Sequence, residues 1–427
     1  MKNAFIKSTI ILMLGSLVTK ILGFVIKIIF TRIIGEGINL YSLIMPTYSL
    51  LIAITQLGLP YAVSAVMARN NYRGIKIFSS ITPIALLFNI IVICLVFFFA
   101  PFLSNNLLKN PDAYYPIISI CFILPFTTIS GILKGYYFGK QNMLPNAISN
   151  VFEQLTRFIL LLTLIPFLMR FNIIVAVSGY IITSAASELI QIIIYLFFAP
   201  KNLKFTLHDI KPSYEVASSI FGISVPNVSG RLIGNICYFL EPIILTNLLL
   251  FVGYSNSFIL SEYGIYNAYV IPILTMPSFF TLALNTTLIP EISKNYQDKV
   301  HVKKRLIQSL TFSFLIGLIF CIYIFFQGDF ILKILYATNK GSAYLRILSI
   351  FFPLFYLEGP LMSTLQGLNM SAYTMKVTLI GCIIKLISMA ILCLFSIGIY
   401  ALIISEIIDI FIVIYLNSKK LHKLNYL

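Results

Sequence analysis

Twelve apolar runs, each long enough to cross a bilayer, fill nearly the whole chain and restrict it to one class of fold. They cover roughly 8–33, 40–68, 77–104, 114–133, 146–168, 173–199, 216–252, 263–292, 306–327, 342–367, 376–396 and 399–418. A spanning helix takes about 20 residues, so little of the 427 residues remains for an extramembrane domain. A soluble globule is excluded by composition. The chain is 59% hydrophobic and 10% charged, against roughly 45–50% and about 25% in soluble domains. The excess apolar surface must face lipid. The expected fold is an all-α polytopic membrane protein, which rules out a cytosolic enzyme, a secreted domain, a disordered chain and a single-span receptor.

The net charge of +16 would suggest nucleic acid in a soluble protein, but here it follows topology. With the N-terminus inside, nineteen of the 30 Lys and Arg fall on internal loops, tails or inner helix ends, and six fall outside. The inner set is concentrated near 69–76, 134–145, 200–215, 293–305 and 419–423; the outer six are Arg32, Lys109, Arg170, Lys333, Lys340 and Arg346. This asymmetry places both termini in the cytoplasm and leaves no nucleic-acid footprint. Lys20 interrupts the first run and no small-residue cleavage site follows, so that run reads as an uncleaved helix. The six cysteines lie in apolar runs without metal or redox spacing, and His208, His301 and His422 lie in polar loops or the tail. No metal site or cofactor is expected.

Five basic residues remain inside predicted spans: Lys20, Lys27, Arg157, Arg231 and Lys385. A bare cation at mid-bilayer costs about 2.5–3.5 kcal/mol on insertion scales, so each must face a bundle interior or an aqueous cavity. Glu153 lies one turn before Arg157 in the favourable acid-then-base order, and Lys385 has Glu406 and Asp409 as candidate partners. Charge pairing for packing alone therefore stands beside a role in binding. A cavity lined by Lys and Arg suits a polyanion such as a pyrophosphate, whereas an organic cation would need carboxylates to dominate. Glu241, followed by Pro242, could join Glu406 and Asp409 in a proton or Na⁺ site, or compensate Arg231 and Lys385.

The chain also repeats itself. Pro125, Gly131 and Gly139 recur as Pro353, Gly359 and Gly367, each displaced by 228, and the same displacement carries Arg157 onto Lys385. Lys20-x-x-Gly23 matches Arg231-x-x-Gly234, and Met45-Pro46 through Pro60 matches Met276-Pro277 through Pro290, one residue shorter. The expected organisation is two six-helix lobes, 1–205 and 206–427, related by a pseudo-twofold along the membrane normal. Such lobes face each other across a cleft in a recurring transporter plan.

Gly131-Ile-Leu-Lys-Gly135-Tyr-Tyr-Phe-Gly139-Lys-Gln-Asn-Met143-Leu-Pro145 runs on to Ala147-Ile-Ser-Asn-Val-Phe-Glu153-Gln154-Leu-Thr-Arg157. This block resembles the stage V sporulation protein B branch of the polysaccharide-transport group, in the multidrug/oligosaccharidyl-lipid/polysaccharide (MOP) exporter superfamily. Thr19-Lys20-Ile-Leu-Gly23-Phe and Arg32-Ile-Ile-Gly35-Glu-Gly37-Ile-Asn-Leu-Tyr41 look like the same branch, as does Gly58-Leu-Pro60-x-x-x-Ser64. The resemblance implies a MATE- or MurJ-like, alternating-access flippase or exporter of lipid-linked saccharides, with Lys20, Arg157 and Arg231 in the inter-lobe cavity. Two departures accompany it. Murein-precursor flippases carry an Arg in helix 8 before a Phe-Pro pair, whereas Tyr266 to Pro277 contains no basic residue, which weighs against lipid II. Fuller-length relatives also carry two further C-terminal helices beyond the twelfth.

The expected function is flipping of a polyprenyl-pyrophosphate-linked saccharide, held by Lys20, Lys27, Arg157, Arg231 and Lys385. Glu153, Glu241, Glu406 and Asp409 would pair charge or couple transport to H⁺ or Na⁺. The alternative is an H⁺- or Na⁺-coupled antiporter of drugs or organic cations. A membrane transferase would need paired acidic metal ligands or a catalytic loop, which the short basic loops do not offer.

Overall fold

In a computed structural model, residues 2–69, 74–199 and 212–427 are described. The predicted basic residues Arg73, Lys201, Lys204 and Lys211, with His208, lie outside them, as do the side chains of Lys2, Lys7 and Arg69. The described residues are helical throughout, without a strand. Ten helices are long and apolar enough to cross a membrane, and an eleventh span is the bent pair Asn256–Thr275 and Ser278–Lys294. Together with α1 (Lys2–Ile34) they occupy the twelve predicted positions.

Two compact units divide the chain at Met1–Asn235 and Ile236–Leu427. The first contains α1, α2 (Gly37–Gln56), α3 (Leu59–Arg69), α4 (Gly74–Phe102), α5 (Tyr114–Ile120), α6 (Leu124–Gly139), α7 (Leu144–Leu168) and α8 (Ile173–Phe197). Helix α9 (Tyr214–Val252) passes through the division. Its first turns belong to the first unit because Val216 and Ile220 are buried in a cluster with Leu59, Ala62, Val63, Ile77 and Ile81. The second unit continues with α10 (Asn256–Ile265), α11 (Ile271–Thr275), α12 (Ser278–Lys294), α13 (Lys299–Tyr336), α14 (Ser342–Gly367), α15 (Ser371–Cys393) and α16 (Tyr400–Lys423). Its core joins Leu288, Ile292, Val302, Leu306, Leu361, Leu365 and Leu421 from α12, α13, α14 and α16.

Three predicted spans differ in detail. The run 40–68 is two helices, because Leu57 and Gly58 take left-handed backbone at φ 45° and 64°. Gly58 tolerates that conformation, and the freed carbonyl of Leu57 accepts from the Ser224 hydroxyl. The run 114–133 breaks between α5 and α6. The run 306–327 belongs to α13, which begins at Lys299 and ends at Tyr336. At about 1.5 Å per residue its 38 residues exceed the bilayer core of about 30 Å, so polar ends were mistaken for loops. Near its C-terminal end Asp329 pairs with Arg346 and accepts from Ser342.

Internal packing supports the duplication and corrects its register. A Cβ built on Gly131 would lie 3.3 Å from Pro60 Cγ, and one on Gly139 would lie 2.3 Å from Met67 Cβ and 2.9 Å from the Ser64 oxygen. In the second unit Gly359 abuts Asn285, while a Cβ on Gly367 would lie 3.0 Å from the Ile289 oxygen and 2.9 Å from Ile292 Cβ. The glycines are displaced by 228 and their partners, 60 to 285, 64 to 289 and 67 to 292, by 225. Pro60 is thus equivalent to Asn285 and not to Pro290. The Met-Pro match fails as a register because Pro46 lies inside continuous α2, whereas Pro277 caps α12 after a break.

The glycine contacts give a stability prediction. A Cβ on Gly135 would sit 2.7 Å from the Pro60 oxygen and 2.8 Å from Val63 Cβ, and backbone cannot yield as a flexible side chain can. Gly135→Val is expected to cost about 1–3 kcal/mol by overpacking, read as a lower unfolding midpoint in detergent. Gly222→Ala, in open space, is expected not to lower it.

Candidate functional site

Each unit holds a buried polar centre around one of the repeat-related cations. In the first, α7 carries Glu153 and Arg157 one turn apart, and Arg157 Nη2 donates to Glu153 Oε1 at 2.9 Å. Glu153 is further satisfied by Gln154 Nε2 at 3.3 Å and by Gln191 Nε2 from α8 at 3.1 Å. On the same face of α8, Glu188 accepts from the Ser130 hydroxyl of α6 at 2.5 Å. Arg157 lines a cavity of about 90 Å³ with Tyr41, Met45, Tyr48, Tyr180, Ile181 and Ser184. Its Nε is buried without a hydrogen-bond partner. Phe30 of α1 closes the aromatic side, stacked on Tyr180 with centroids 3.6 Å apart and edge-on to Tyr41 at 4.9 Å.

In the second unit, Lys385 of α15 bridges two carboxylates. Its Nζ lies 2.8 Å from Glu241 Oε2 of α9 and 2.6 Å from Glu406 Oε2 of α16. Glu241 is 2% exposed and also accepts from the Tyr263 hydroxyl at 3.4 Å. Asp409, one turn after Glu406, approaches Gly381 instead of Lys385, and its Oδ1 is buried without a hydrogen-bond partner. Glu358 of α14 lies within electrostatic reach of Asp409 and Glu406. Two carboxylates therefore flank one ammonium, with Asp409 and Glu358 close to them.

The two centres are built on equivalent positions with different letters. Arg157 corresponds to Lys385 and Ser130 to Glu358, both displaced by 228. The contact of Glu153 with Gln191 recurs as that of Gly381 with Asp409, and this aligns Glu188 with Glu406. The displacement of 211 that relates Lys20 to Arg231 places Phe30 against Glu241. In the first unit the counter-charge comes from the cation's own helix. The second lacks that acid at Gly381 and draws it from α9 and α16.

The other three cations lie in the first unit. Lys20 is exposed on α1, and Lys27 is half-buried one heptad later. Arg231 is exposed, donates from Nη2 to the Tyr61 hydroxyl at 2.9 Å and places its guanidinium 4.9 Å from the centroid of the Tyr61 ring. Among the described residues no carboxylate pairs with Lys20 or Arg231. The pairing expected for Arg157 is made. Lys385 pairs with Glu406 and Glu241, while the expected alternative of Asp409 is not used.

Sequence reasoning weighed Glu153, Glu241, Glu406 and Asp409 beside the buried bases and passed over Glu188 and Glu358. Glu188 and Glu358 stand inside apolar runs as conspicuously as the five cations do, and a search for acids in spans would have found both. Tyr61 carried no such signal, because a tyrosine in a spanning helix is common.

Residues 5–296 match the family described as "Polysaccharide biosynthesis protein", and residues 232–392 match the MatE family. The chain is 33% identical to "Stage V sporulation protein B" of Bacillus subtilis over 399 residues, covering 90% of this chain and 77% of that protein. It is 24% identical to "Lipid II flippase MurJ" of the same organism over 424 residues, covering 91% of this chain and 77% of that one. The fold is shared with an inward-facing multidrug resistance MATE family transporter of the MOP superfamily at a TM-score of 0.75, with 15% identity and 95% of each chain covered. It is shared with lipid II flippase MurJ in an inward closed conformation at a TM-score of 0.72, with 14% identity, covering 97% of this chain and 87% of that one. The chain is a multi-pass membrane protein of the polysaccharide biosynthesis family, related to stage V sporulation protein B.

Proposed function

We propose that the protein is a flippase, and not an enzyme, for a polyprenyl-pyrophosphate-linked saccharide serving cell-wall, spore-cortex or polysaccharide assembly. It moves the lipid from the inner to the outer leaflet of the cytoplasmic membrane, with both termini on the cytoplasmic side. One observation carries the anionic substrate: Lys20 of α1 and Arg231 of α9, related by the repeat, lie exposed, and among the described residues neither has a carboxylate partner. Unpaired cations on such helices need an anion, and ammonium and guanidinium groups are the donors a pyrophosphate takes. Tyr61 orients Arg231 by one hydrogen bond and one ring contact. Lys27 adds positive charge on a similar face of α1. Arg157 and Lys385, already paired with acids, carry less of the substrate's charge than Lys20 and Arg231 do.

The second centre supplies coupling. Glu241, Glu358, Glu406 and Asp409 exceed the single ammonium of Lys385, and a low-dielectric interior does not hold uncompensated charge. Protons or a Na⁺ ion make up the balance, and their exchange biases the two states of the transport cycle. Glu153 belongs with Arg157 as a structural pair.

Lipid that co-purifies with the protein tests the substrate class by mass spectrometry. A polyprenyl pyrophosphate bearing sugars is expected, lost on Lys20→Ala/Arg231→Ala; only bulk phospholipid in both samples would count against the reading. The same acidic surplus favours a second reading, an ion-coupled exporter of organic cations. That reading requires H⁺- or Na⁺-dependent efflux of cationic dyes that disappears in Glu241→Gln.

A further inference from the structure

Two cysteines distant in sequence meet beside the second polar centre. The Cys237 thiol of α9 donates to the Cys382 carbonyl of α15 at 3.8 Å. Both are free. Cys237 stands one turn before Glu241 and Cys382 one turn before Lys385. The two cysteines therefore lie on the same two helices as the Glu241–Lys385 bridge, one turn earlier on each.

We propose that Cys237 and Cys382 form a dithiol that a hydroperoxide converts to a disulfide, fixing α9 to α15 with the Glu241–Lys385 bridge closed. Cys382 is the more accessible of the two, Cys237 being buried, so Cys382 meets the oxidant first. With hydrogen peroxide, its sulfur takes one oxygen as a sulfenic acid and one water leaves. The Cys237 sulfur then attacks that sulfur, the S–S bond forms and a second water leaves. The two thiols give up two electrons and two protons, all of which end in the two waters. A disulfide requires Cβ atoms about 3.5–4.5 Å apart, and a Cys237 sulfur 3.8 Å from the Cys382 backbone oxygen sets the two residues side by side on adjoining helices. Hydrogen peroxide is small and uncharged and reaches the half-buried thiol of Cys382. Cys321 and Cys393 are buried, Cys321 on α13 and Cys393 at the far end of α15, and they serve as unreactive references in the same molecule.

The effect on transport rests on the flippase reading and on exchange at the second centre; the cross-link itself does not. The test treats the full chain in proteoliposomes with hydrogen peroxide and maps thiols by non-reducing peptide mass spectrometry. A linked Cys237–Cys382 peptide is expected, with Cys321 and Cys393 still alkylatable after unfolding. The unfolding midpoint should rise and lipid flipping should fall by most of its rate, both reversing with dithiothreitol. C237S and C382S should fold, flip lipid and ignore peroxide. An absent linked peptide, or a linked peptide with midpoint and flipping unchanged, overturns the proposal. Should the untreated protein move no lipid, the flippase reading fails, and the cross-link with its midpoint shift decides the thiol chemistry alone.

Discussion

Replacing Lys385 by Met is expected to destabilise the protein by about 3–5 kcal/mol, the cost typical of breaking a buried ion pair from one side. The ammonium is the only positive charge within 4 Å of either Glu241 or Glu406 among the described residues, at 2.8 and 2.6 Å. Its removal leaves Glu241, 2% exposed, with the Tyr263 hydroxyl as its remaining described donor. Glu358 and Asp409 place two further carboxyl groups nearby. A second substitution should return most of the loss, because replacing both members of a buried pair by neutral groups is often close to neutral. Chemical unfolding in detergent of Lys385→Met, Glu241→Gln and the double variant closes the cycle. Two single effects that simply add would show that the bridge is not the unit of stability. Arg157→Met should cost less than Lys385→Met, because Glu153 keeps Gln154 and Gln191 as donors.

The second large effect falls on transport. Each charge-assisted hydrogen bond contributes about 1.5–3 kcal/mol, and every 1.4 kcal/mol is about tenfold in affinity. Lys20→Ala and Arg231→Ala are each expected to weaken pyrophosphate-lipid binding by about tenfold or more, with folding unchanged, because both residues are exposed. Lys20→Arg, which keeps the charge, should retain most of the binding. Titration of each variant with a short-chain polyprenyl pyrophosphate measures this directly. Equal affinities in all of them would remove both residues from the binding site.

The membrane fold was legible because lipid imposes a rule that leaves a long signature: every span must be apolar and about 20 residues long. The break at Leu57–Gly58 left little trace, since left-handed backbone at a leucine is set by the helices around it, with Ser224 capturing the exposed carbonyl. The length of α13 was underestimated for a related reason. Lys303, Lys304 and Arg305 read as a loop, yet they stand on a helix that continues beyond the membrane.

At the candidate site, residue rarity gave the cations and a set of candidate acids, but not which acids each cation meets. Glu153 and Arg157 are one turn apart, so helical spacing alone joined them. Lys385 and Glu241 are separated along the chain by 144 residues, and only tertiary packing brings them together. The duplication was visible in glycines and prolines, and those letters fixed the α6–α7 and α14–α15 register correctly. They failed for α2 and α3, where Pro46 lies inside a continuous helix but Pro277 caps one, and where Pro60 is matched by Asn285 and not by Pro290. The second centre's larger acidic surplus arises from substitutions such as Phe30 aligned with Glu241 and Ser130 aligned with Glu358. Such differences acquire meaning only once the shared positions are known.

Movement of a labelled polyprenyl-pyrophosphate saccharide between the leaflets of vesicles containing only this protein is the most direct test of the central claim. Rapid loss of label from the donor leaflet is expected for the unmodified chain, with the rate reduced to the protein-free level in Lys20→Ala/Arg231→Ala. Equal rates in vesicles with and without the folded protein, under both a proton and a Na⁺ gradient, would contradict it.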